Sequence, residues 1–162
     1  MDLCSYKSYY GNFGQDQKIF LCDNEAQPNS NLCMFHDSHF LESIKNIETI
    51  EKEFQNKIDK YLTDENHEPF FCIGYYLYNI NIKDKEFFYP VYFDNAQFSG
   101  SVSINVKFLN YVSFAGSHFS NEGDVSFSDS RFSGKGNVDF SQSRFSGKGK
   151  VSFSGCQFSN EN

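Results

Sequence analysis

The hydrophobic pattern of this chain changes character near residue 90. Beyond it, a small or β-branched residue is followed two places later by a large apolar one. The pairs are Val91/Phe93, Ala96/Phe98, Val102/Ile104, Val106/Phe108, Val112/Phe114, Ser117/Phe119, Val125/Phe127, Ser130/Phe132, Val138/Phe140, Ser143/Phe145, Val151/Phe153 and Cys156/Phe158. Residues two apart share one face of a strand, so each pair marks a short strand with both marked side chains pointing inward. The large residues follow one another at intervals of 5, 6, 4, 6, 5, 8, 5, 8, 5, 8 and 5. A five-residue period cannot be a helix, because its apolar stripe would precess around the axis. It fits the short sides of a coil, with corners in segments such as FSGKG and FSNEG, where Ser and Gly favour turns.

Inserted residues stretch two five-residue units to thirteen in VSFSDSRFSGKGN, residues 125–137, and again in the copy that follows. With the pairs numbered in order, the extra residues fall after pairs two, six and ten, and after pairs four and eight. Those are two opposite corners of a four-sided coil; a three-sided coil would scatter them. About three coils are expected, with inward ladders Phe93/Phe114/Phe140, Phe98/Phe119/Phe145, Ile104/Phe127/Phe153 and Phe108/Phe132/Phe158. The rungs should stack at the inter-strand distance of about 4.8 Å.

These units resemble those of the pentapeptide-repeat family, which read roughly A-(D/N)-(L/F)-x-x, and the central Phe matches the Phe-rich branch. The resemblance covers residues 91–162 and implies a right-handed quadrilateral β-helix with four units per coil. The three-residue insertions depart from the family pattern.

Ahead of the repeats, Phe40, Leu41, Ile44, Ile47, Phe54, Ile58, Tyr61 and Leu62 fall at helical spacings. One amphipathic helix is expected over residues 37–62, capped by Asp37 or Ser38 and stopped by NHEP with Pro69. Its Glu/Lys-rich opposite face reads as a solvated surface. Residues 63–90, with the aromatic run PFFCIGYYLYNINI, read as a β-rich N-terminal cap and first irregular coil, in which Ile80/Ile82 looks like a degenerate pair.

Residues 1–36 carry Cys4, Cys22, Cys33 and His36 at the spacing C-x17-C-x10-C-x2-H. The C-x2-H pair brings thiolate and imidazole within reach of one ion, and two more thiolates complete a Cys3His tetrahedron. Four protein ligands leave no open position, so a zinc ion there is structural. Gly11, Gly14, Pro28 and many Asn and Asp lie between the ligands, a turn-rich stretch that gains from a metal staple. The alternative is that Cys4 and Cys22 are ordinary buried thiols and His36 only opens the helix. Cys72 reads as a core thiol and Cys156 as a small inward residue. The whole layout resembles uncharacterised archaeal pentapeptide-repeat proteins, a resemblance that carries no assigned activity.

Composition sharpens this picture. Phe numbers 20, Tyr 10 and Trp none, so Phe is the main core-former. The net charge of −7 sits entirely in residues 1–90, with 15 acidic and 8 basic side chains, whereas residues 91–162 carry six of each. A neutral repeat has no basic stripe for a phosphate backbone and no strong negative field for imitating DNA. No apolar run is long enough to span a membrane and MDLCSYKSYY is not a secretory signal, so a cytoplasmic location and reduced cysteines are expected.

No catalytic constellation emerges. The SGKG segments at 133–136 and 146–149 lack the phosphate-loop pattern, and Lys135 and Lys148 fall on different corners. His39, His67 and His118 have no nucleophile partner in sequence. The expectation is a mainly β, non-enzymatic interaction or assembly protein: a short quadrilateral β-helix capped by a zinc-stapled module and one α-helix. Its partner surface would be the last coil around Phe145, Phe153 and Phe158, since FSNEN offers no capping helix, or the acidic N-terminal half, and it would serve self-association or a protein partner. The alternatives are a DNA-mimicking topoisomerase regulator and a zinc-dependent nucleic-acid binder. The first is disfavoured by the short neutral repeat. The second is disfavoured by the few basic residues (Lys7, Lys18, Lys45, Lys52) in and soon after the Cys-rich segment.

Overall fold

The computed structural model describes residues 2–11, 17–64, 67–120, 122–134 and 137–160. Gly14, Asn66 of the expected helix stop and Lys135 lie outside the described residues. The chain begins with an antiparallel hairpin, β1 (Lys7–Tyr10) and β2 (Lys18–Leu21). A short 3-10 turn (Ser38–Glu42) and the helix α1 (Ile44–Thr63) follow.

The remainder winds as a solenoid. Its first coil holds β3 (Phe70–Phe71), β4 (Tyr76–Leu77) and β5 (Ile80–Phe87), and its second β6 (Val91–Tyr92), β7 (Gln97–Phe98) and β8 (Val102–Phe108). The third holds β9 (Val112–Ser113), β10 (His118–Phe119), β11 (Val125–Ser126) and β12 (Arg131–Gly134). The fourth holds β13 (Val138–Asp139), β14 (Arg144–Phe145), β15 (Val151–Ser152) and β16 (Gln157–Asn160).

Each strand pairs in parallel with its counterpart one coil away, giving the stacks β3-β6-β9-β13 and β4-β7-β10-β14. Sides three and four are single long strands, β5 and β8, in the first two coils, and split into β11/β12 and β15/β16 afterwards. The coil is thus four-sided, and the insertions occupy opposite corners as the spacing requires.

All four expected ladders form. Ring centroids lie 5.0 and 4.9 Å apart along Phe93/Phe114/Phe140, and 4.5 and 4.6 Å along Phe98/Phe119/Phe145. They lie 5.1 Å apart between Phe127 and Phe153, and 5.4 and 4.9 Å apart along Phe108/Phe132/Phe158. The rings are nearly parallel because backbone hydrogen bonding fixes the rise and every rung repeats the same rotamer. Each buried Phe removes enough apolar surface from water to contribute about 2–3 kcal/mol.

The expected three coils become four. Strand register puts Leu77 on Phe98, Ile82 on Ile104 and Phe87 on Phe108, while Phe70 on Val91 sets Cys72 beside Phe93. Residues 70–90 therefore form a complete first coil, irregular at one place, where the β5–β8 register shifts between Lys83 and Lys85. Its rungs Cys72, Leu77, Ile82 and Phe87 keep the five-residue spacing without insertion. The pattern is hidden because Phe70, Tyr75 and Ile80, all buried, and the half-buried Lys85 stand in place of small residues. A terminal coil has no neighbour on one side, so large side chains there reach the cap.

That cap is α1, which buries Ile50, Phe54 and Ile58 on one stripe. Phe54 meets Phe93 edge-on at 6.4 Å and Phe35 at 6.4 Å, and Tyr61 packs on Phe70 at 4.7 Å. A small thiol at the Cys72 rung leaves room for the Phe54 ring to reach Phe93 in the second coil. The helix starts later than expected: Asp37 accepts from the His39 N–H of the 3-10 turn, and Ser43 is the true N-cap, accepting from the Asn46 N–H. Two capping side chains six residues apart split the expected single helix.

Candidate metal centre

The hairpin explains the long spacer between the first two cysteines. Its register, Lys7 opposite Leu21, continues outward: Cys22 N–H donates to Tyr6 O at 3.1 Å and Cys4 N–H to Asn24 O at 2.9 Å. Cys4, Tyr6, Cys22 and Asn24 are therefore diagonal and direct neighbours on one face of the ribbon. The long spacer thus spans the two paired strands, so the spacing is set by the hairpin. Cys33 and His36 are brought together by a tight turn in which the His36 and Asp37 N–H groups donate to Cys33 O at 3.0 and 3.1 Å.

The four side chains converge. One ligand atom from each of Cys4, Cys22, Cys33 and His36 lies within 4.8 Å of all the others, and all four residues are buried. The Cys22 and Cys33 sulfurs are 3.8 Å apart, and His36 Nδ1 is 3.5 Å from Cys4 Sγ and 3.3 Å from Cys33 Sγ. A tetrahedral ion with metal–sulfur bonds of about 2.3 Å and metal–nitrogen bonds of about 2.0–2.1 Å needs edges of about 3.8 and 3.5 Å. The three closest contacts are near those lengths, and the cluster could hold a metal ion. Without one, three thiols and an imidazole crowd a space where ordinary hydrogen bonding leaves them poorly partnered. The short Cys33 contact, then His36 and Asn24, hold the Cys22 thiol well below its ordinary value against its burial, and Cys33 is pushed up by the same contact.

The surroundings orient the ligands. His36 Nε2 lies 2.8 Å from Ile73 O. A carbonyl only accepts, so Nε2 carries the proton and the Nδ1 lone pair faces the sulfurs. Tyr6 stacks on the imidazole at 3.8 Å, and Tyr75 meets it edge-on at 5.1 Å. Asn24 Nδ2 donates to Cys22 Sγ at 3.2 Å and to Tyr75 Oη at 3.1 Å. Gly74, at φ 68°, passes so close under the Tyr6 hydroxyl that a Cβ there would collide with it. Ile73, Gly74 and Tyr75 all belong to the first coil, so the cluster is built against the solenoid and not beside it. Sequence reasoning missed this outer layer, whose contacts to the first coil run from His36–Ile73, 37 positions apart, to Tyr6–Gly74, 68 apart.

The other candidates are scattered. Cys72 is fully buried beneath α1, with burial pushing its thiol up, and Cys156 Sγ donates to Phe127 O at 2.8 Å. Phe145, Phe153 and Phe158 lie on the fourth coil with 39%, 38% and 61% of their surface exposed. His39 pairs with Glu42, and Lys148 with Glu122 of the coil before it, both on the surface. His118 Nε2 lies 2.7 Å from Ser146 Oγ on an exposed side. No carboxylate orients this imidazole among the described residues, so it has the contact of a catalytic dyad without the supporting third group. No helix of the described chain is long and apolar enough to cross a membrane.

No family model, no curated protein and no solved structure matches the chain.

Proposed function

We propose that the chain is a non-enzymatic interaction or assembly module of the pentapeptide-repeat type, a subunit or adaptor working in the cytoplasm. The observation that carries this reading is the difference between the two ends of the solenoid. One end is closed by α1 and the Cys3His module. At the other, Phe145, Val151, Phe153 and Phe158 are exposed, and Phe153 and Phe158 line a hollow of about 590 Å³ together with Phe132, Val138 and Phe140. Unpaired strand edges and exposed apolar rungs are the surface that one coil offers to the next, and they suit a protein partner or a second copy.

The ion we assign to Cys4, Cys22, Cys33 and His36 is zinc. Three thiolates and one imidazole are its common structural donor set, and closure by four protein ligands leaves no position for substrate. Its role is to staple the hairpin and the 31–36 loop over the first coil, where a turn-rich segment has little core of its own.

Native mass spectrometry of the full chain tests both halves. We expect one zinc per chain and a dimer or larger species whose population rises with concentration, or a co-purifying protein. Replacing Phe153 and Phe158 by Glu should abolish the association and leave the zinc in place. A strict monomer at high concentration without a co-purifying protein would overturn the interaction reading, and a metal-free folded chain would overturn the zinc assignment.

A further inference from the structure

A buried carboxylate sits where the hairpin rests on side one of the solenoid. Gly11, which follows β1, donates its N–H to Asp94 Oδ2 at 3.1 Å, and next to it Asn95 Nδ2 donates to Ser8 Oγ at 3.4 Å. Tyr10 closes the contact against Phe71 and Tyr92, with ring centroids at 5.2 and 4.9 Å. Asp94 is only 2% exposed, and its Oδ1 has no hydrogen-bond partner among the described residues. A buried polar atom left without a partner is uncommon, and an ionised carboxylate in that state is costly.

The groups around it relieve the charge only in part. Facing Asp94 are Asp139 of β13, Tyr92 of β6 and Tyr111 ahead of β9. No Lys, Arg or His among the described residues forms an ion pair with it. Burial drives its carboxyl up to about 6 and Asp139 adds to the shift, while Ser113, the Gly11 N–H and Ala115 pull the other way.

We propose that Asp94 makes the seating of the β1–β2 hairpin proton-sensitive: the neutral carboxyl holds the hairpin against the solenoid, and the ionised carboxylate loosens it. Lifting the hairpin hydrates Asp94 and returns it to the ordinary carboxylate range near 4. The seated form therefore binds the proton more tightly than the lifted form. The gain in seating is complete below about pH 4, shrinks as the pH rises, and is lost above about pH 6. A gap of about two pKa units corresponds to a roughly 100-fold change in the seating equilibrium. The hairpin flanks carry Cys4 and Cys22, and its outer face exposes Tyr9, Ile19 and Leu21. A pH change in the weakly acidic range thus alters how firmly the metal-bearing ribbon and that apolar face are held.

Hydrogen exchange on the full, metal-loaded chain, compared with Asp94→Asn, tests this. Asn copies the neutral carboxyl and keeps an acceptor for Gly11. At pH 7 the hairpin amides of the native chain should exchange about 100-fold faster than those of the variant, and at pH 5 only about tenfold faster, with the solenoid strands alike in both. Intrinsic exchange and metal-ligand titration affect both chains equally, so the ratio isolates Asp94. A ratio that does not change with pH would overturn the proposal. Should the variant fail to fold, the carboxyl carbon resonance of Asp94 in the native chain decides: a midpoint near 6 supports the proposal and one near 4 overturns it.

Discussion

Serine at the small inward positions has a chemical role beyond its size. Ser117 Oγ donates to Phe93 O at 2.5 Å, Ser143 Oγ to Phe114 O at 2.6 Å and Ser130 Oγ to Ile104 O at 2.8 Å. Each hydroxyl adds a hydrogen bond to the carbonyl of a rung one coil earlier; Phe93 O and Phe114 O also accept the N–H groups of Ala96 and Ser117. Ser130 does more, because it also accepts from the Val106 N–H at 3.2 Å. Ser130→Ala leaves a donor and an acceptor unpaired in a fully buried site, so we expect a loss of about 2–3 kcal/mol in urea unfolding. Ser143→Ala removes one of the two hydrogen bonds to Phe114 O in a half-buried site, the Ser117 N–H remaining, and should cost about 1 kcal/mol. Equal midpoints for the two variants would remove the satisfaction argument. The corners show the same economy: Asn95, Gly116 and Gln142 sit at φ 58°, 67° and 59° one above another. A Cβ on Gly116 would come within 2.5 Å of Asn95 Oδ1, so this column alternates side chain and space.

At the scale of elements, legibility followed from repetition. The ladders and opposite corners were readable because twelve units repeat one rule, and each error in one unit is outvoted by the rest. The first coil obeys the same spacing, but Tyr75 and Lys85 stand where small residues mark the later units, so its regularity is masked by the needs of the cap. The ligand set was readable from Cys4, Cys22, Cys33 and His36, whereas its anchoring through Ile73 O and Asn24 was not, since nothing in the spacing links them. The helix was readable as amphipathic, but not its task. Phe54 plugs the bore above Cys72 and links Phe35 to Phe93. Phe54→Ala should cost about 3–5 kcal/mol, the range for a buried aromatic that leaves a cavity. Ile44→Ala, on a side chain 78% exposed, should stay within about 0.5 kcal/mol. Thermal unfolding of the two variants compares them directly, and a mild Phe54 phenotype would mean that α1 lies over the solenoid without closing it.

For the molecule as a whole, stacking makes stability nearly one-dimensional: each coil contacts only its neighbours, so a disturbance at one end fades along the axis. Burial already follows that gradient. Val91, Phe93, Phe98 and Phe114 are essentially inaccessible, while Val151, Phe153 and Phe158 in the last coil are open. The Cys3His cluster grips the opposite end through Ile73 and Tyr75, and Phe35 O accepts the Tyr76 N–H at 2.7 Å on the same coil. Removing the ion proposed for it should therefore have a directional effect. A chelator should free the hairpin and the 31–36 loop first, then raise exchange in β3–β5, with a smaller rise in β6–β8 and almost none in β13–β16. The fourth coil should respond instead to association or to the Phe153 and Phe158 replacements, which leave β3–β5 unchanged. Exchange measured strand by strand separates the two ends. If chelation loosened all four coils equally, the solenoid would be one cooperative unit, and the metal would be holding the whole fold in place of its first coil.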